Sequence, residues 1–146
     1  MARTDHVAAA AHNDQAAWKA PVIASKDLTP NIFSDKEAVW ADNAAPSSSF
    51  GNVYVCWTSF GITHSPILVA HSTNGGDTWS DPVKVTSGTP TAFTGPSGCT
   101  LRTESHGVVY VLWFEDNYPQ TSHQDDGPLT GRRGHLLGAA RGRQRR

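Results

Sequence analysis

Arginine is scarce through most of this chain: residues 1–126 contain only Arg3 and Arg102, while residues 127–146 contain six more. No apolar run approaches the ~18 residues that read as a membrane-spanning helix, so no membrane span is expected. The opening Met1-Ala2-Arg3-Thr4-Asp5-His6 lacks the apolar core of a signal peptide. The seven histidines show no His-x-x-x-His spacing, and Cys56 and Cys99 fit no metal-ligand spacing, so neither metal nor cofactor is expected. The two cysteines read as small buried residues; a disulfide between them stays open, because spacing alone does not decide it. There is no phosphate loop and no serine nucleophile elbow, and Gly95-Pro96-Ser97-Gly98 reads as a turn. Apolar residues make up 38% of the 146, below the ~45–50% of an average globular domain. The chain is still long enough for one domain with a core.

Turn chemistry is what the chain has in quantity, with 13 glycines and 9 prolines spread along it. The densest stretch is Ser72-Thr73-Asn74-Gly75-Gly76-Asp77-Thr78-Trp79, set between the strand-like runs 66–70 and 82–85. Asn-Gly between two such runs is a strong hairpin signal. The Asn74 side-chain oxygen can accept from backbone N–H groups downstream, and Gly75 and Gly76 tolerate positive φ. Ser72 and Thr78 hydroxyls can tie the turn, and Trp79 can fold beneath it as a plug. Ser72, Asn74, Gly76, Thr78 and Trp79 together resemble the Asp-box, Ser/Thr-x-Asp-x-Gly-x-Thr-Trp, of sialidase-like β-propellers, with Asn74 in place of the usual Asp.

Two spacings extend the pattern. Trp18-Lys19-Ala20-Pro21-Val22 parallels Trp79-Ser80-Asp81-Pro82-Val83, and Asn13 precedes Trp18 as Asn74 precedes Trp79, so residues 11–25 read as a decayed Asp-box hairpin 61 residues upstream. Gly51-Asn52-Val53-Tyr54-Val55-Cys56-Trp57 parallels Gly107-Val108-Val109-Tyr110-Val111-Leu112-Trp113 at a separation of 56. Alternating β-branched and aromatic residues predict strands there. A strand-and-turn repeat of roughly 60 residues is the size of a propeller blade. The expected fold is therefore all-β: an incomplete β-propeller of about two four-stranded blades from a six-bladed, sialidase-like parent. Residues 1–25 would end one blade, 26–94 would form a nearly complete one, and 95–124 would begin the next.

Residues 125–146 break the pattern. Residues 1–126 carry 6 Lys and Arg against 13 Asp and Glu, a balance of −7, whereas 127–146 carry 6 Arg and no acid. This basic, low-complexity tail has no aromatic residue and no alternation, so it is expected to be coil or an isolated helix that completes no blade. A genuine nucleic-acid arm is one reading, but nothing interleaved would stack on bases, so no nucleic acid is expected. A frameshift near Gln124 is the preferred one. Read one base into the Asp125 codon with permitted third bases, the tail can encode Ser-x-Asp-Gly-Gly-x-Thr-Phe, its Asp falling at the Gly131 codon, 57 after Asn74. An unrelated tail is the third reading.

What the resemblance implies about chemistry is an arginine triad for the substrate carboxylate, a Tyr–Glu nucleophile pair and an Asp acid/base, on separate blades. Two arginines in residues 1–126 cannot supply that set. The catalytic candidates are Asp35 and Glu37, two carboxylates at the start of an innermost strand that could do acid/base work, and Arg102 and Glu104, two residues apart and expected to share a face and pair. For each, a solvated turn or surface ion pair is the simpler alternative, and Glu115 and Asp116 read as a solvated strand end. Three functions follow: part of a sialidase-type glycoside hydrolase inactive in isolation, a non-catalytic Asp-box propeller presenting loops to glycans or proteins, or a truncated product without activity. A glycan or sialoglycoconjugate is the expected ligand, and open sheet edges invite self-association. The resembling family is often secreted; the sequence itself does not place the chain in a compartment.

Overall fold

The computed structural model describes residues 1–26, 29–62, 64–86, 95–116 and 139–140. Strands dominate them. β1 (Phe33–Ala41), β2 (Val53–Phe60), β3 (Ile67–Ser72) and β4 (Val83–Lys84) form a four-stranded antiparallel sheet in the order β1-β2-β3-β4. β5 (Gly95–Thr103), β6 (Val109–Asp116) and β7 (Ala139–Ala140) form a second sheet in the order β5-β6-β7. The only α-helix among the described residues is α1 (Val7–Ala11), followed by a 3-10 turn at Gln15–Ala17.

The first sheet is apolar on both faces, as expected of a sheet covered from both sides. Register places Ala38 opposite Cys56 and Trp40 opposite Tyr54, with Val69 and Ile67 beyond them opposite Cys56 and Thr58. This face meets the second sheet. Tyr54, Cys56 and Ile67 pack there with Leu101 and Val111, ringed by Trp40, Val69, Val109 and Trp113. Alternation puts Val39, Val55, Trp57, Leu68 and Ala70 on the opposite face.

The 56-residue sequence repeat is a structural repeat. β1–β2 and β5–β6 are both antiparallel hairpins, and the glycines that precede their second strands, Gly51 and Gly107, have φ of 85° and 79°. Each first strand carries a bulge, between Asp35 and Ala38 in one and between Ser97 and Cys99 in the other. At these bulges Lys36 has φ 63° and Gly98 has φ 64°. The bulges lie 62 residues apart and the glycines 56, and the difference of six is extra length in the first hairpin's loop. That loop is held by buried Asp42, whose carboxylate accepts from the Ala44 N–H at 3.1 Å and the Ser47 hydroxyl at 2.7 Å.

Five sequence expectations need correction. Gly95-Pro96-Ser97-Gly98 is not a turn: it opens β5, pairing with the end of β6, and its turn-like composition serves the bulge at Gly98. Residues 11–25 form no hairpin; they hold the end of α1 and the 3-10 turn. The positions matching Ser72, Gly76 and Thr78 are Ala11, Gln15 and Ala17, so the hydroxyls and the glycine that build an Asp-box are missing. Cys56 and Cys99 are not two separate thiols: they form a disulfide that joins β2 to β5 across the sheet junction. Their Cα atoms are 6.2 Å apart, inside the range a disulfide requires. Spacing could not reveal this, because it is set by how the two sheets pack. Ala139–Ala140 is neither coil nor helix but pairs with Val109 and Tyr110, since a strand edge needs only backbone partners. The shifted-frame reading and the remainder of the tail lie outside the described residues, as do 117–124 of the expected third segment. Arg102 and Glu104, the fifth case, take different partners.

Candidate functional site

The Asp-box turn folds as its residues dictate. Asn74 Oδ1 accepts from the Thr78 N–H at 2.9 Å, and the Asn74 amide donates to Thr78 Oγ1 at 2.9 Å. Ser72 Oγ accepts from the Gly76 N–H at 2.8 Å and donates to Asn74 Oδ1 at 2.9 Å. Gly75 and Gly76 take φ of 67° and 95°, which a side chain would oppose. Trp79 donates from its indole N–H to the Gly76 carbonyl at 3.2 Å. It lies under the turn as expected, but half-buried rather than sealed. The flanking runs pair as β3 and β4, with Leu68 opposite Lys84 and Val69 opposite Val83.

An N-terminal strap crosses this turn. Arg3 donates to the Asn74 carbonyl at 3.3 Å and to the Gly75 carbonyl, and pairs with the Asp77 carboxylate. The strap is anchored behind by Lys19 N–H to Arg3 O and Val22 N–H to Met1 O, both at 2.9 Å. Lys19 also pairs with Asp5 and, by donating to it, holds that carboxyl below its usual range. No local signal in the sequence marks Arg3 for this role; only its rarity singles it out.

The four catalytic candidates do not converge. Asp35 sits opposite Thr58, whose hydroxyl faces the second sheet and accepts from the Gly98 N–H at 2.9 Å. The bulge after Asp35 turns Glu37 to the other face, beside Val39, Val55 and Trp57. A bulge shifts the alternation of a strand by one residue, so Asp35 and Glu37 lie on opposite faces of the first sheet. Asp35 lies 3.9 Å from the Lys36 ammonium, both side chains well exposed.

Arg102 and Glu104 lie at the opposite end. β1 and β5 run side by side in the same direction: Lys36 adjoins Gly98, and the Trp40 indole N–H donates to Thr103 Oγ1 at 3.0 Å. At ~3.3 Å per residue, this sets Arg102 roughly 16 Å along from Asp35. Carboxyl pairs that cleave glycosides stand only ~5–10 Å apart. Arg102 does not pair with Glu104. Its guanidinium lies 4.4 Å from the centroid of the Trp40 ring, and it donates to Thr100 Oγ1 at 3.1 Å. Glu104 instead faces His106 Nδ1 at 3.4 Å. β5 ends at Thr103, so Glu104 is already in the turn, where strand alternation no longer applies. Glu115 and Asp116 close β6.

An aromatic pair occupies the Asp35 end. Phe33 and Phe60 stack with ring centroids 5.1 Å apart, and Phe33 is largely exposed. On the outer face of the first sheet, an apolar cleft of about 520 Å³ opens between β1, β2 and residues 21–25. Among the described residues, no helix is long and apolar enough to cross a membrane. Compared with known proteins, the chain matches no family profile, no curated protein and no solved structure.

Proposed function

We propose that this chain is part of an Asp-box β-propeller of the sialidase type, in which it supplies scaffold rather than a catalytic centre. One observation carries the reading: two hairpins repeat with bulges and positive-φ glycines in matching places, and the Asp-box hairpin completes the first of them as a four-stranded blade. The second hairpin is then the inner half of the next blade. The four catalytic candidates sit on different faces and at opposite ends, so they support no glycosidase step among themselves. Catalysis in a parent of this type would need arginines and carboxylates beyond these.

The non-catalytic alternative, a propeller that binds glycans, has the Phe33–Phe60 stack in its favour, since exposed aromatic faces suit the apolar faces of sugar rings. A single assay separates the readings. Purified chain incubated with a fluorogenic sialoside should release no fluorophore. Turnover abolished by Asp35→Asn or Arg102→Ala would overturn the scaffold reading. Retention on immobilised sialoglycan without turnover, lost in Phe33→Ala, would favour the glycan-binding alternative.

A further inference from the structure

We propose that this chain associates head to tail with copies of itself, Phe114 of one copy seating in the apolar cleft on the first sheet of the next. The first sheet is apolar on both faces, but among the described residues only one face meets another sheet. Against the other lies the irregular segment 1–26, whose single buried apolar residue is Ala17. The cleft left between them is lined by Val22, Ile23, Ala38, Val39, Val55 and Trp57. Val39 is 57% exposed and Ile23 71% exposed at its rim.

The second sheet shows the complementary feature. Val109, Val111 and Trp113 point into the junction, so Tyr110, Leu112 and Phe114 alternate to the far side. Phe114 is 62% exposed there. Among the described residues, these two faces are therefore the two ends of one stack, a cleft at one end and an aromatic knob at the other.

The junction inside the chain identifies the occupant. There, a face of the first sheet is covered by a second sheet of the same repeat, with β1 and β5 side by side and their bulges adjoining. Setting the far face of the second sheet on the open face of another copy's first sheet continues that stack. The contact joins two different surfaces, so it is heterologous and propagates to a ring or a filament. It rests on the stacking of the two sheets and not on the sialidase or glycan-binding readings.

Sedimentation velocity on the intact, oxidised chain tests this. Species larger than a monomer should accumulate as concentration rises. Val39→Lys and Phe114→Lys both alter side chains that are more than half exposed, so each variant should keep the far-UV spectrum of the parent. Each alone should be monomeric, because every copy lacks the same half of the contact. An equal mixture should form a one-to-one dimer and nothing larger, since one intact cleft and one intact knob remain. An intact chain that stays monomeric at high micromolar concentration overturns the proposal. So does association that persists in both single variants, which would point to pairing through the β1 or β5 edges, or a mixture that stays monomeric. Should Val39→Lys lose the parent spectrum, Ile23→Lys on the cleft rim takes its place with the same expected outcomes.

Discussion

The two sheets start from the same hairpin and end differently. β1–β2 continues through β3 into the Asp-box and β4, so its outer strand is paired and its last turn is tied by side chains. β5–β6 gains only two residues of β7 among the described residues. The first sheet has more backbone ladder and turn bonds of its own. The two share a core, in which Leu101 and Val111 pack on Tyr54, Cys56 and Ile67, and a covalent bridge. A similar hairpin is thus extended or left short according to whether an Asp-box hairpin follows it.

Breaking the bridge should have the largest effect on this contrast. Cys56 and Cys99 are 43 residues apart, and a closed loop of that size is worth about 4 kcal/mol in the chain-entropy account. Reduction, or a Cys99→Ser variant, should release the second sheet while leaving the first intact. Hydrogen exchange reads the two separately: amides of β5 and β6 should lose protection, while those of β2 and β3 keep it. Equal loss in both sheets would mean that the first is not self-sufficient, and no loss in either would mean that the apolar junction alone suffices.

The next effect concerns the device that completes the first sheet. Gly76 has φ 95°, and a Cβ there would lie 2.7 Å from Met1 Cε and 3.6 Å from Trp79 Cζ2. Gly76→Ala should therefore cost about 2 kcal/mol through backbone strain and displacement of the strap. Urea denaturation monitored by tryptophan fluorescence measures it. The matched change Gln15→Ala, in the segment that only resembles an Asp-box, should move the midpoint by no more than about 0.5 kcal/mol. Similar costs at both positions would mean that the two turns are energetically alike despite their different folds.

How much was legible follows from how local each feature is. The strands at 53–57 and 109–113 and the hairpin around Asn74 rest on alternation and turn residues a few positions apart, and all of them form where the sequence puts them. Residues 11–25 misled because Trp18, Pro21 and Val22 keep the spacing of the motif while Ala11, Gln15 and Ala17 lack its chemistry. The placement of the candidate residues was hidden for a related reason: Asp35 and Glu37 are two apart in sequence, but the bulge at Lys36 resets the period between them and puts them on opposite faces. The disulfide, the Arg3 strap and the Arg102–Trp40 contact join residues 43 to 74 positions apart, and no pattern within one strand encodes them.

The smallest expected effect is also the most specific to the turn. Asn74 stands where the Asp-box pattern has Asp, so Asn74→Asp restores the pattern. Asn74 Oδ1 already accepts from the Thr78 N–H, and a carboxylate there makes that bond charge-assisted. The Thr78 hydroxyl, now an acceptor from the Asn74 amide, can rotate to donate to the second carboxylate oxygen, so no bond is lost. Arg3 at the neighbouring carbonyl adds a favourable charge. The variant should gain roughly 0.5 kcal/mol near neutral pH, a small sum because the side chain is exposed and screened. Hydrogen bonds to the ionised form and the nearby cation both lower the folded-state pKa of the new carboxyl. The gain should therefore be fully present above the unfolded-state pKa and disappear as pH falls through the folded one. Paired urea titrations of the two proteins at neutral and strongly acidic pH, each at low and high salt, provide the check. A gain that persists in acid would show that the carboxylate charge is not its source, and a loss at neutral pH would show that the amide N–H to Thr78 is indispensable.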